Sequence, residues 1–273
     1  MSTTSIRATQ FTTSADGTEL AYEVTGSGPA LVLVDGALCH RAMGPARGLA
    51  KELSGSFTVY AYDRRGRGES GAGASPYAIQ REVEDLAAVI DVAGGSAHVF
   101  GVSSGGALAL EAARDGVAME RLVVYEAPFI VDGTRPANDL HLPERVRVMV
   151  EEGRRGEAVK TFMRTVGAPA PVIALMRLMP AWKQLIAVAH TLPHDLSIVI
   201  EHEQGKPLPV GYYEGVEPET LVIAGGKSPE YMRNSQAAIA DAVPRARLET
   251  LAGQTHMVKA KVVAPAVSRF LLG

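Results

Sequence analysis

The chain has 273 residues, of which 47% are hydrophobic and 21% are charged, and its formal net charge is −3 at pH 7. This length fits one large α/β domain, or a core with an inserted segment, and the composition is typical of a globular protein. The nearly balanced charge gives no basis for binding nucleic acid or a membrane surface, and we expect neither. The single cysteine, Cys39, excludes an intrachain disulfide.

Targeting signals are not evident in the sequence. Residues 1–7 lack the apolar core of a signal peptide, and no apolar run reaches the length of a membrane span. We therefore expect a cytoplasmic protein. The short basic cluster of Arg64, Arg65 and Arg67 is followed by Glu69, which favours local ion pairing over a nucleic-acid patch.

Strand-like and helix-like patterns alternate along most of the chain. Strands are predicted over residues 19–24, 30–34, 57–62, 97–102, 122–125, 221–224 and 247–251. Helices are predicted over residues 77–93, 107–113, 231–242 and 262–272. On the first helix we predict a solvent-exposed face with Arg81, Glu82, Glu84 and Asp85, and a buried face with Val83, Leu86 and Ile90. The alternation predicts an α/β fold with a mostly parallel, doubly wound sheet, whose functional residues gather beyond the carboxyl ends of the strands.

Residues 132–215 break this rhythm and divide the core into segments 1–131 and 216–273. The stretch is mostly helical by pattern, and prolines at positions 136, 143, 169, 171, 180 and 193 divide it into short helices. We predict that it forms a helical lid over the functional site. Met176 and Trp182 are candidates for lining an apolar substrate pocket, with packing of the lid onto the core as the alternative.

The most informative motif is Gly101-Val102-Ser103-Ser104-Gly105, which stands between a predicted strand and a predicted helix. A serine at the apex of such a tight turn presents its hydroxyl outward from a constrained backbone, as a nucleophile requires. Glycines are needed because a side chain at Gly101 or Gly105 would collide across the turn. The alternative, a glycine-rich phosphate-binding turn, is disfavoured because no lysine follows and no second Gly-x-Gly spacing is present.

Three motifs in this order resemble the α/β-hydrolase fold family over nearly the whole chain outside the predicted lid. Segment 101–105 looks like the nucleophile elbow of that family. Segment 63–70, Asp-Arg-Arg-Gly-Arg-Gly-Glu-Ser, is similar to the family's Asp-x-Arg-Gly-x-Gly-x-Ser loop. Segment 253–256, Gly-Gln-Thr-His, resembles the loop that carries the catalytic histidine. The resemblance implies an α/β-hydrolase fold in which Ser103 is the nucleophile and His256 is the base.

The family pairs its elbow with an oxyanion loop, usually His-Gly-x, after the third strand, and here that position reads Asp35-Gly36-Ala37. The resemblance implies that the oxyanion hole consists of the backbone N–H groups of Ser104 and Ala37. Asp35 departs from the pattern, and we place it among the residues at the substrate site. Its carboxylate either turns away to hold its own loop, which we favour, or takes part in proton transfer.

The catalytic acid is the least conventional part of the pattern. The family usually places an Asp after the strand before the last, where this chain has Ser228, and a hydroxyl carries no charge to stabilise an imidazolium. Glu126 follows the strand after the elbow helix and keeps the order serine, acid, histidine, so we predict it as the acid, with Ser228 as the substitute candidate. The alternatives are a solvated carboxylate at Glu126 and Asp132 as a poorer acid.

These residues predict a serine hydrolase that cleaves an ester, a thioester or a similar small acyl substrate through an acyl-enzyme. No cofactor is expected, and a metal pair at His190 and His194 is disfavoured because Pro193 disturbs their helical spacing. We expect a small apolar molecule as the substrate, and a homodimer stays open as the oligomeric state. The altered acid position keeps a cofactor-free lyase or cyclase open as an alternative, and a ligand-binding protein is the third.

Overall fold

A computed structural model describes residues 8–73 and 76–273 of the chain. The eight strands within these residues are β1 (Gln10–Thr13), β2 (Glu19–Gly26), β3 (Ala30–Val34), β4 (Thr58–Tyr62), β5 (Ala97–Val102), β6 (Met119–Tyr125), β7 (Glu219–Gly225) and β8 (Ala246–Leu251). The ten α-helices described are α1 (Ala46–Leu53), α2 (Ile79–Val92), α3 (Ser104–Arg114), α4 (Leu142–Glu151), α5 (Arg155–Thr165), α6 (Ala170–Met176), α7 (Ala181–Val188), α8 (Leu192–Val199), α9 (Glu230–Ala242) and α10 (Ala260–Leu271). Each predicted strand and helix of the core is present, whereas the sequence pattern does not predict β1 and α1.

The strands form one sheet in the order β1-β2-β4-β3-β5-β6-β7-β8. Neighbouring strands are parallel from β4 to β8 in this order, while β1 and β2 extend one edge in antiparallel pairing. The mostly parallel sheet is therefore confirmed. Because β3, β5, β6, β7 and β8 run side by side in the same direction, the loops after their carboxyl ends meet along one edge of the sheet.

Helices cover both faces of the sheet, as a doubly wound fold requires. Successive residues of β3 alternate between two hydrophobic clusters. Val32 and Val34 pack with residues of α2, α3 and α9 on one face, and Leu31 and Leu33 pack with residues of α1 and α10 on the other. All four side chains are at most 2% exposed, which accounts for the continuous apolar run that predicts this strand.

The prediction of a solvent-exposed face on α2 is partly wrong. The residues predicted for the buried face are buried: Val83, Leu86 and Ile90. However, Glu82 and Asp85 are buried as well, and each pairs with an arginine of the loop after β4. Arg64 Nε lies 2.6 Å from Glu82 Oε2, and Arg65 Nε lies 2.7 Å from Asp85 Oδ2. These contacts confirm the predicted local ion pairing and explain the burial, because a charge leaves water only when it is paired.

Between β6 and β7 lies the helical insertion, which we define as the predicted range 132–215. It contains α4 to α8 and two short 3-10 helices, at Ala189–Thr191 and Ile200–His202. These helices share a hydrophobic cluster that also includes Leu38 of the loop after β3. In the described part of the chain no single helix is long and apolar enough to span a bilayer, and only α6 taken with the bent segment 181–202 passes by length and composition.

Candidate active site

The predicted elbow is a tight turn between β5 and α3. Ser103 stands between them with φ 57° and ψ −127°, a backbone conformation that a non-glycine residue rarely adopts. A Cβ atom at Gly101 would lie 2.5 Å from the Gly105 carbonyl oxygen, and one at Gly105 would lie 2.3 Å from the Val34 carbonyl oxygen. Since no real side chain tolerates such distances from backbone, both glycines are required for β3, β5 and α3 to meet at the serine.

Strained backbone is concentrated at this site. The described residues include three non-glycine residues with positive φ, namely Leu38, Ser103 and Glu126. Leu38 follows Ala37 in the loop after β3, Ser103 is the candidate nucleophile, and Glu126 follows β6. Such conformations cost about 1–3 kcal/mol each and persist where the surrounding structure enforces them, often at functional sites. The three strained residues thus mark the three segments in which the sequence predicts an oxyanion loop, a nucleophile and an acid.

Glu126 and His256 form a direct pair. Glu126 Oε2 lies 3.1 Å from His256 Nδ1, and the other carboxylate oxygen accepts a 2.7 Å hydrogen bond from the Gly225 N–H. The glutamate is fully buried, whereas the histidine side chain is 40% exposed. With Nδ1–H directed at a carboxylate, the neutral ring carries its lone pair on Nε2, which is the arrangement of a general base.

The loop of His256 is held by the ends of two strands. Tyr125, the last residue of β6, donates its hydroxyl to the Thr255 carbonyl at 2.7 Å. The Lys227 N–H in the turn after β7 donates to the Gln254 carbonyl at 2.8 Å. Because the backbone on the N-terminal side of His256 is fixed at both points, the imidazole has little freedom to leave the carboxylate of Glu126.

The other acid candidates do not reach the histidine. Ser228 lies in the turn after β7, but its buried Oγ has no hydrogen-bond partner among the described residues. Asp132 accepts hydrogen bonds from Thr134 and Asn234. The substitute role considered for Ser228 is therefore corrected, and so is the solvated position considered for Glu126.

Ala37 and Ser104, the predicted oxyanion donors, border one cavity together with Ser103 and His256. Ser104 is the first residue of α3, so its N–H has no acceptor inside the helix. A Cβ atom at Gly36 would lie 2.9 Å from the Cβ of Ser103, so glycine allows the loop after β3 to approach Ser103 closely. The structure thus brings together four of the predicted site residues.

Asp35 lies behind the loop of Gly36 and Ala37 and does not border the cavity. Its side chain is buried, Oδ2 has no hydrogen-bond partner among the described residues, and the Ala46 N–H at the start of α1 is near enough to lower the pKa of the carboxyl slightly. Burial raises the pKa of this carboxyl to about 7, against the opposing effect of Arg67 and Arg64. The expected substrate contact is therefore corrected, and the orientation away from the site, toward the start of α1, is the one observed.

The cavity has a volume of about 560 Å³ and lies between the core loops and the helical insertion. Its apolar wall is formed by Ala37, Pro45, Val102, Pro128, Phe162, Val166, Leu196, Val199, Met232, Met257 and Val258. Arg135, Glu203 and Tyr231 add polar groups that the motifs do not indicate. Cys39 also borders the cavity, but burial raises its pKa to about 12, so it stays a neutral thiol and does not compete as a nucleophile.

Met176 and Trp182 do not border the cavity. Trp182 belongs to the hydrophobic cluster inside the helical insertion, and Met176 packs against the same cluster. The expectation that they line the substrate pocket is corrected in favour of structural packing, because both side chains fill space between helices of the insertion. Phe162 and Leu196, from α5 and α8, border the cavity instead.

His190 and His194, the two histidines of the insertion considered as a metal pair, have separate contacts. His190 Nε2 lies 2.7 Å from the Gly66 carbonyl oxygen, and the His194 ring stacks on Tyr77 at a centroid distance of 3.9 Å. Across residues 8–73 and 76–273, no group of three or more His, Cys, Asp or Glu side chains is placed to hold a metal ion.

Comparisons with known proteins agree with this fold. A model of the alpha/beta hydrolase family matches residues 30–266. The structure is similar to an alpha/beta hydrolase from Sphaerobacter thermophilus DSM 20745, with 44% identity and a TM-score of 0.87 over 96% of this chain and 100% of that one. The enol-lactonase from Burkholderia xenovorans LB400 shares the fold, at 22% identity and a TM-score of 0.71 over 97% of this chain and 100% of that one.

A curated relative is also named as a hydrolase. The uncharacterized hydrolase YraK of Bacillus subtilis (strain 168) is 26% identical over 154 residues. These residues are 54% of this chain and 55% of the relative, so the match spans little more than half of either protein. The family match and the structural similarity together place this chain in the alpha/beta hydrolase family.

Proposed function

We propose that the protein is a serine hydrolase that cleaves a carboxylic ester, a thioester or a similar small acyl substrate. The observation that carries this proposal is the 3.1 Å pair between Glu126 and His256 beside the cavity that Ser103 borders. A buried carboxylate, an imidazole and a serine on a strained turn are the three groups that acyl transfer to a serine requires. None of them needs a metal or an organic cofactor for this chemistry.

The first half of the reaction forms an acyl-enzyme. As Ser103 Oγ attacks the acyl carbon, its proton passes to His256 Nε2, and Glu126 stabilises the imidazolium through Nδ1–H. The carbonyl oxygen becomes an oxyanion that accepts hydrogen bonds from the N–H groups of Ala37 and Ser104. When the tetrahedral intermediate collapses, the imidazolium gives its proton to the departing alkoxide or thiolate, and the acyl group remains on Ser103.

The second half releases the acid. Water attacks the acyl carbon while His256 Nε2 accepts one of its protons, and the same oxyanion forms again. As the bond from the acyl carbon to Ser103 Oγ breaks, the proton on His256 passes to Oγ. The serine is restored, and the carboxylic acid product leaves.

The cavity supports a mostly apolar acyl group. Its wall is largely aliphatic, and the charge of Asp195 at its edge is balanced by two arginines, with Arg67 Nη2 at 2.7 Å and Arg64 Nη1 at 2.9 Å. A cavity of about 560 Å³ is in the range that accommodates a small organic ligand. Since the helical insertion provides part of this wall, we propose that it acts as a lid over the substrate.

The lyase or cyclase alternative depends on a triad without a charged acid. Because Glu126 pairs with His256 and provides that charge, the altered acid position does not favour the alternative. The fold alone does not decide between the two chemistries, and the following experiment does.

The experiment combines turnover with covalent labelling. We expect the purified protein to hydrolyse 4-nitrophenyl esters of short acyl chains and to be labelled on Ser103 by a fluorophosphonate probe. The variant S103A loses both properties, whereas S268A, which removes a hydroxyl from α10, retains them. Labelling without ester turnover would indicate the non-hydrolytic alternative. Unchanged turnover in S103A would overturn the proposal.

A further inference from the structure

Asp195 is a charged residue of α8 that the mechanism above does not use. Its side chain is buried, and both of its oxygens are occupied. Arg67 Nη2 lies 2.8 and 2.7 Å from the two carboxylate oxygens, and Arg64 Nη1 lies 2.9 Å from Oδ1. Ser104 Oγ donates a further hydrogen bond to Oδ1 at 2.8 Å. One carboxylate of the helical insertion therefore holds three side chains of the core.

The contact through Arg67 reaches the first oxyanion donor. Arg67 Nη1 donates a 2.7 Å hydrogen bond to the carbonyl oxygen of Gly36, which belongs to the same peptide unit as the Ala37 N–H. In a planar trans peptide the C=O and N–H bonds point in opposite directions. An arginine that holds the carbonyl therefore keeps the Ala37 N–H directed away from itself, and Ala37 borders the cavity.

The contact through Ser104 reaches the second donor. The residue that carries the other oxyanion N–H is tied to Asp195 by its own hydroxyl. Arg64 Nη1 also contacts the Asp35 carbonyl at 3.2 Å, one residue before Gly36. Both segments that supply oxyanion donors are thus connected to one side chain of α8.

The charges around Asp195 are balanced. Arg64 and Arg67 carry two positive charges, which Asp195 and Glu82 offset. Although burial alone would raise the pKa of Asp195, the charges of Arg67 and Arg64 lower it below its ordinary value, so it stays ionised. A group whose charges balance one another fixes geometry without opposing negative charge that develops nearby.

We propose that Asp195 is a positioning residue that sets the oxyanion hole from the helical insertion. It holds Arg67 against the Gly36 carbonyl and holds Ser104 at the start of α3. Docking of α8 on the core is thereby coupled to stabilisation of the transition state. This inference rests on the proposed function, because it assigns a role within the same acyl-transfer site.

The test compares D195N with D85N. Asn keeps the shape of the side chain but loses the charge that holds Arg67. Asp85 is a matched control because it is equally buried and pairs with Arg65 of the same loop, at 2.7 Å, without contacting Gly36 or Ser104. We normalise each rate to the concentration of sites that a fluorophosphonate titrates, which removes the effect of unfolded protein.

The readout separates positioning from stability. For D195N we expect the normalised kcat on 4-nitrophenyl butyrate to fall about 10²–10³-fold, the effect of losing one oxyanion donor, with little change in KM. The affinity for a trifluoromethyl ketone, which forms a tetrahedral adduct, should fall by a similar factor, while that for the matching unreactive methyl ketone does not change. For D85N both affinities and the normalised kcat stay at wild-type values.

A milder variant keeps the test decisive if D195N does not fold. S104A removes one hydrogen bond to Asp195 and retains the backbone N–H, and we expect about a fivefold loss of trifluoromethyl ketone affinity without loss of methyl ketone affinity. Equal losses in D195N and D85N, or a wild-type affinity ratio in D195N, would overturn the inference; if D195N does not fold, a wild-type affinity ratio in S104A would overturn it. A wild-type protein that neither turns over esters nor is labelled on Ser103 would instead overturn the proposed function.

Discussion

Glu126 Oε2 lies 3.1 Å from His256 Nδ1, although 130 residues separate the two in the chain. The glutamate follows β6 and the histidine follows β8, and β7 lies between these strands in the sheet. The glutamate side chain crosses the end of β7 at Gly225, whose N–H donates to its other oxygen at 2.7 Å. An acid one strand farther from the histidine loop than usual can therefore contact the same imidazole, because the backbone N–H at the end of the intervening strand holds its other oxygen.

This pairing predicts which acidic position matters. In E126Q the amide cannot stabilise the imidazolium with a negative charge, so we expect kcat to fall by up to about 10⁴-fold with the fold retained. In S228A, which removes a hydroxyl that has no hydrogen-bond partner in the described part of the chain, kcat should stay at the wild-type value. Steady-state kinetics with one ester at one pH provides the comparison. A large loss in S228A together with an active E126Q would show that the acid is misassigned.

The elbow predicts a sharp difference between two glycine substitutions. In G105A the new Cβ would lie 2.3 Å from the Val34 carbonyl and 2.5 Å from the Asp35 carbonyl, so backbone segments must separate. We expect a loss of several kcal/mol in the free energy of unfolding, above about 3 kcal/mol, together with loss of activity. G55A is the control, because a Cβ at Gly55 meets nothing within 4 Å. Urea unfolding measures the free energy of unfolding of both variants, and equal values for G105A and G55A would contradict the close approach of backbone at the elbow.

The buried Glu203 predicts a dependence of stability on pH. Burial raises its pKa from the ordinary 4.5 to about 7, although Asn138 donates a 2.7 Å hydrogen bond to it. Below pH 4.5 the carboxyl is protonated in both the folded and the unfolded chain. As pH rises toward 7 the unfolded chain releases this proton first, so the folded state loses stability by roughly 3 kcal/mol and regains none above pH 7.

The variant E203Q has no carboxyl at this position and therefore lacks the loss of stability that ionisation of Glu203 causes as the pH rises. We expect its Tm to exceed the wild-type Tm by more at pH 8 than at pH 5, and the exposed neighbour variant E201Q to show no such difference. Asp35, whose pKa is raised in the same direction, leaves some of the dependence in place in E203Q. Differential scanning fluorimetry at the two pH values is sufficient, and an equal Tm difference at both would contradict the assignment to Glu203.

The sequence predicts the central strands of the sheet well because they are largely continuous apolar runs. Leu31 and Val32 face opposite clusters, so a strand buried on both faces leaves a signal that needs no knowledge of its neighbours. The elbow is also predictable from the sequence. Glycine is required at Gly101 and Gly105 because a side chain there would collide with backbone a few residues away or with the end of the adjacent strand. Local pattern is informative where the physical cause is itself local.

The residues that were assigned wrongly depend on distant partners. Glu82 and Asp85 lie at polar positions of an amphipathic helix, but arginines from another loop bury them. Trp182 lies in an apolar stretch whose partners turn out to be other helices of the insertion rather than a substrate. The contact between Asp195 and Ser104 cannot be predicted from a local sequence pattern, because 91 residues separate the two.

The central claim is that Ser103 carries the acyl group during turnover. The direct measurement is the mass of the intact protein, quenched in acid within the first turnover of 4-nitrophenyl butyrate, followed by peptide mapping. We predict an added butyryl group on the peptide that contains Ser103, and no added mass in S103A. Turnover at the wild-type rate with no acyl adduct at any time point, or an adduct on another residue, would contradict the account.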